Sequence, residues 1–182
     1  MKTESNVKFI LRLALTLLVI TSVVAAALAG VNALTAGKIA ETKLANTQAA
    51  VNAVLPGGGE EISFQDDTGM VSKVFASDTG YAVEVLSSGF GGTVDMMVGV
   101  GKDGKVLAVQ IISHSETPGL GAVSAAENAA GEAFRGQFAG MSGELAVTKD
   151  GGQVEAITGA TITSRAVVKG VNAALACVAG LG

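Results

Sequence analysis

Seven residues near the C-terminus, Thr158-Gly159-Ala160-Thr161-Ile162-Thr163-Ser164, crowd hydroxyl groups around two of the smallest side chains. Directly after them, Val168, Val171, Leu175 and Val178 recur at helical spacing, so Arg165 to Val178 is predicted to be a helix with one apolar face. A hydroxyl-rich turn feeding a helix presents unpaired backbone N–H groups and the positive end of the helix dipole, which together make a seat for phosphate. Gly159 and Ala160 would let a ligand come close to the backbone. The same residue types also make an ordinary N-cap, the commoner reason for finding Ser and Thr at such a place. A second polar cluster, His114-Ser115-Glu116-Thr117-Pro118-Gly119-Leu120-Gly121, offers a carboxylate, hydroxyls and an imidazole at a turn forced by Pro118-Gly119.

Composition narrows the chemistry these groups could do. Cys177 is the one cysteine and His114 the one histidine in 182 residues. Intrachain disulfides, self-contained iron–sulfur or Cys-rich zinc sites, C-x-x-C-H haem attachment and His-based metal clusters are therefore excluded. Redox chemistry would need an organic cofactor. A net charge of −4 and a pI near 5.0 give no support for nucleic acid as a partner. A hydrolase acting through Ser115 or Thr163 would need a positioned base; no G-x-S-x-G element is present, and no base is fixed beside Thr163 in sequence. His114 at a strand end reads as a hydrogen-bonding group, with a proton-shuttle role as the alternative. Cys177 reads as a small packed apolar residue.

The elements that must position these clusters begin at the N-terminus. From Leu13 to Gly37 no residue is charged, and the strongly apolar part runs to about Val31. About 20 apolar residues suffice to cross a hydrocarbon core, so 1–32 is expected to be a short N-terminus plus a transmembrane helix. Lys2, Lys8 and Arg12 precede it with Glu4, which favours a cytoplasmic N-terminus, a single pass, and a C-terminal domain outside the cell membrane. The competing reading is a signal peptide cleaved near Ala27-Leu28-Ala29; the length of the uncharged run favours retention, and either reading puts the remainder outside the cytoplasm. Residues 33–56 read as a stalk helix broken at Pro56-Gly57-Gly58-Gly59, leaving 57–182 as the domain.

That domain reads as α+β: an antiparallel sheet flanked by helices. Strands are expected at Ile62–Phe64, Val71–Ala76, Tyr81–Leu86, Thr93–Val100 and Val106–Ser113, the last two joined as a hairpin by the Asp103-Gly104 turn. Asp95, inside its apolar run, is expected on a wet face or at an edge. A helix should follow from about Val123 to Phe138, then a last strand or pair of strands between Gly140 and Val154, with Lys149-Asp150-Gly151-Gly152 as a turn.

Together, His114-Ser-Glu-Thr-Pro-Gly-Leu-Gly121 and Thr158-Gly-Ala-Thr-Ile-Thr163 resemble the covalent FMN-binding domain of ion-translocating electron-transport complexes. The chain is similar to the G subunits of Rnf complexes, whose relative is the C subunit of the sodium-pumping NADH:quinone oxidoreductase. The short interval between anchor and domain favours the Rnf subunit, and the resemblance covers nearly the whole chain.

The resemblance implies an FMN joined through its phosphate to the hydroxyl of Thr163, the last Thr of a [ST]-G-A-[ST]-x-[ST] pattern. It implies that Thr158, Gly159, Ala160 and Thr161 hold the phosphate, and that Glu116, Thr117, Gly119, Leu120 and Gly121 lie along the flavin. Ser164 remains a neighbouring hydroxyl that the pattern does not exclude chemically. The resemblance further implies an extracytoplasmic flavin transferase that moves FMN from FAD onto the subunit. Other membrane and peripheral subunits of an Rnf-type ferredoxin:NAD oxidoreductase complex are implied as partners in electron transfer, with the lipid bilayer met through the N-terminal helix. This subunit would not be catalytic alone. The alternative is a stand-alone membrane-anchored FMN-binding redox or sensor module.

Overall fold

The computed structural model describes residues 2–181, with side chains described from Val7 onward; Met1 and Gly182, which close the first and last segments drawn from the sequence, lie outside the described residues. The chain divides between Leu44 and Ala45 into two compact units. One helix, α1 (Lys2–Val54), supplies the first unit and the beginning of the second. Its first part carries exposed Leu, Ile, Val and Phe side chains throughout and is long and apolar enough to cross a membrane. Its last turns bury Thr47, Ala50, Val51 and Val54, so the second unit begins ahead of the Pro56 boundary expected from the sequence.

The second unit is a five-stranded antiparallel meander. Strands β1 (Glu60–Ile62), β2 (Val71–Ala76), β3 (Gly80–Ser88), β4 (Thr93–Gly101) and β5 (Val106–Ser113) lie in sequence order. β4 is buried from Val94 to Gly101, and apolar there apart from Asp95, because both faces of the sheet are covered. On one face Val83, Val85, Val94, Met96 and Val98 pack with Val167, Val168 and Val171 of α3 (Thr161–Ala179). On the other, Ala50, Val51, Val54 and Leu55 pack on Phe75, Ala82 and Met97. α3 also has the length and apolarity of a membrane span, but most of it is buried in this core. Gly170 allows its close approach, because a Cβ there would stand 2.9 Å from Met96 Sδ.

The sequence and the fold diverge in three places. Asp95 is buried rather than wet: it sits in an interior strand beside a register shift between Asp95 and Met96. The helix expected from Val123 to Phe138 is split into a 3-10 turn (Gly121–Ala125) and α2 (Ala129–Gly136). Asn128 makes the split by capping α2, its Oδ1 accepting the N–H groups of Ala130 and Gly131 at 3.1 and 3.0 Å. Between Gly140 and Val154 there is only an isolated bridge, Val147 to Val154, and a 3-10 turn at Thr148–Asp150. Gly140, Gly143 and Gly151 take φ of 78°, 76° and 85°, which a strand cannot contain.

Candidate functional site

The turn entering α3 is built around Gly159, whose φ of 77° reverses the chain after the exposed Thr158. Ala160 is the N-cap residue, and no side chain caps the helix. The plain N-cap explanation of the hydroxyl cluster therefore fails: its hydroxyls are used elsewhere. Ser164 is fully buried, donates to the Ala160 carbonyl at 3.0 Å and accepts the Ile157 N–H at 2.9 Å. Thr161 Oγ1 lies 3.2 Å from Lys149 Nζ. Thr163 Oγ1 donates to Glu116 Oε2 at 2.5 Å. The first turn of α3 has N–H groups that no side chain caps, at the positive end of the helix dipole.

Glu116 reaches this point from the end of β5. Its backbone N–H donates to His114 Nδ1 at 3.1 Å, so the imidazole braces the turn as a hydrogen-bonding group. Its other carboxylate oxygen accepts the Gly91 N–H at 2.9 Å, tying in the β3–β4 loop Gly89-Phe90-Gly91-Gly92. That loop must be glycine-rich, since a Cβ on Gly89 or Gly91 would collide with Glu116 Oε1 or the Ser115 carbonyl. Only 5% of Glu116 and 1% of Thr163 are exposed.

Above this pair lies a cavity of about 340 Å³ lined by Phe90, Glu116, Thr117, Leu120, Gly121, Lys149 and Gly159 through Thr163. It unites both clusters. Of the residues singled out in the sequence, Glu116, Thr117, Leu120, Gly121, Gly159, Ala160, Thr161 and Thr163 line it; Thr158 and Gly119 do not, and both are exposed turn residues. Sequence reasoning missed Phe90 and Lys149. The Gly-Phe-Gly-Gly string held a signal, an aromatic among glycines at a hairpin end, whereas nothing marked Lys149 until folding brought it to Thr161. No base lies near Thr163 in sequence, and the fold brings one to it: Glu116, across 47 residues of chain.

The lining has the character of a ligand site, with apolar Phe90, Leu120 and Ile162 exposed at 70%, 43% and 50% around a polar floor. A family model for the FMN-binding domain matches residues 89–176, which contain every residue of the cavity lining. A second, for the RnfG N-terminal region, matches residues 1–54. The G subunit of the Na(+)-translocating ferredoxin:NAD(+) oxidoreductase complex of Acetobacterium woodii is 35% identical over 197 residues, covering 94% of this chain and 92% of that one. The chain belongs to the G-subunit family of ion-translocating oxidoreductase complexes.

Among its other relatives, the G subunit of the ion-translocating oxidoreductase complex of Methanosarcina acetivorans is 32% identical over 187 residues, 94% of this chain and 95% of that one. The G subunit of the proton-translocating ferredoxin:NAD(+) oxidoreductase complex of Clostridium ljungdahlii is 48% identical over 99 residues; there the match spans about half of each chain, 52% and 51%.

The residues of this G subunit fit a flavin mononucleotide. Uncapped N–H groups at the start of α3, together with Lys149, suit the phosphate. Gly121 keeps the floor open, because a Cβ there would collide with both Glu116 Oε2 and Thr163 Oγ1. Phe90, Leu120 and Ile162 offer apolar surface to the ring.

Proposed function

We propose that this subunit carries FMN as a phosphoester on Thr163 and relays electrons within an Rnf-type ferredoxin:NAD oxidoreductase complex that moves ions across a membrane. The carrying observation is the cavity that joins the Glu116–Gly121 turn to the Gly159–Thr163 turn, with Thr163 Oγ1 in its floor. FMN, when bound, supplies electron transfer that no side chain here can perform. Thr161 and the first N–H groups of α3 hold the phosphate; Lys149 offsets its charge; Phe90, Leu120 and Ile162 shield the ring while leaving one side open to a neighbouring subunit. Thr158 and Gly119 shape the two turns.

The remaining subunits of the complex are the partners, and a flavin transferase using FAD matures the chain. The apolar part of α1 lies in the bilayer as a single pass. Its N-terminus is cytoplasmic by the positive charge ahead of the span, which leaves the flavin domain outside. Anchoring and covalent attachment suit one another, since a cofactor lost outside the cell has no pool from which to be replaced. Expression with the transferase, followed by denaturing electrophoresis, tests the reading. The parent band fluoresces as a flavoprotein and Thr163→Ala does not, while both reach the membrane; a fluorescent Thr163→Ala band contradicts it.

A further inference from the structure

The Thr163 hydroxyl is a weak nucleophile in its ordinary state, and esterification requires its proton to leave. The structure already holds that proton's destination. Glu116 Oε2 accepts it in a short hydrogen bond of 2.5 Å, in direct contact with the hydroxyl as a general base must be. The carboxylate is fixed on its other side by the Gly91 N–H, and its backbone is fixed by His114, so it cannot swing away. One carboxylate oxygen is committed to the Gly91 N–H, which ties in the loop, and the second is left for the Thr163 hydroxyl alone.

We propose that Glu116 is the catalytic base for attachment of the flavin to this chain, an assignment that rests on Thr163 being the attachment point. In the step, Thr163 Oγ1 forms a bond to the flavin-side phosphorus of a flavin dinucleotide. The P–O bond to the second phosphate breaks, AMP leaves with that bond's electron pair, and the hydroxyl proton passes to Glu116 Oε2. No oxidation occurs. The maturing enzyme then needs to bind and orient the dinucleotide, while its protein substrate supplies the base.

The full chain in detergent, purified without flavin, is mixed with flavin transferase and FAD, and the adduct is followed by intact mass with time. Glu116→Gln keeps the volume and still accepts the Gly91 N–H, but turns a donor toward Thr163. Its loading rate falls about 100-fold or more, the usual size of general-base catalysis, with the KM for FAD little changed. Glu116→Ala opens the space, and formate restores its loading in proportion to concentration where chloride does not. Loading of the Gln variant at the parental rate overturns the proposal, as does an Ala variant that loads equally with and without formate. If the parent chain itself gains no adduct at Thr163, the attachment reading falls first; if it does, and the Gln variant matches it, only the base assignment falls.

Discussion

The Ser164 hydroxyl holds the Ile157 amide at 2.9 Å across the turn that enters α3. Because the same hydroxyl donates to the Ala160 carbonyl, it is committed to shaping the turn, and its neighbour Thr163 is the hydroxyl in the cavity floor. Ser164→Ala should therefore act on stability. It leaves the Ile157 N–H without its partner, which costs about 1–3 kcal/mol. Urea denaturation should show the lower midpoint, while peptide mapping of the loaded variant should still find the flavin on Thr163.

Lys149 stands 3.2 Å from Thr161 Oγ1 at the exposed mouth of the cavity. An exposed cation contributes modestly, so Lys149→Gln should raise the KM for FAD in loading about two- to fivefold at low salt. The difference should close near 1 M salt, where the screening length is about 3 Å. Kinetics of loading at the two ionic strengths check this.

Gly121 touches both members of the reacting pair. A Cβ there would collide with Glu116 Oε2 and Thr163 Oγ1, so Gly121→Ala must part them. Loading should fall at least about tenfold while melting shows a loss of about 1–3 kcal/mol, the usual cost of an overpacked site. Retention of full loading would mean that the close hydroxyl–carboxylate pair is dispensable.

Acid should weaken the domain through two carboxylates. The Arg165 guanidinium, donating to Asp150 at 2.6 and 2.7 Å, holds that carboxyl below its ordinary value. Burial pushes Asp66 upward, but hydrogen bonds from Thr68, Val71 and Met70 outweigh it and leave the group lowered. A lowered folded value means stability that is present above the unfolded value of about 3.9 and lost as pH falls through the folded one. Melting temperature should thus drop below about pH 4, and less steeply in Asp150→Asn, as thermal scans across that range would record.

Much of this was legible in the sequence where periodicity carries the signal. β3 follows from alternation, β2 and β5 from short β-rich runs bounded by turns, and α3 from the 3-4 spacing of Val168, Val171, Leu175 and Val178. The α+β architecture follows from them. The burial of Asp95 was not legible, because which strand faces are covered depends on the last turns of α1 packing on the sheet within the same unit. The missing strands after Gly140 reflect glycines whose positive φ outweighs the apolar pattern of Leu145 and Val147. At the site, eight of the ten residues that the family resemblance implied line one cavity, yet the Glu116–Thr163 bond and the arrival of Phe90 and Lys149 are tertiary events that no local spacing encodes.

Peptide mass mapping of the protein isolated from its own membranes tests the central claim most directly. The account predicts one modified peptide, containing Thr163, heavier by FMN less one water, with fragmentation placing the added mass on that threonine. A flavin-free chain from cells with an active transferase, or the same mass on Ser164 or any other residue, would contradict it.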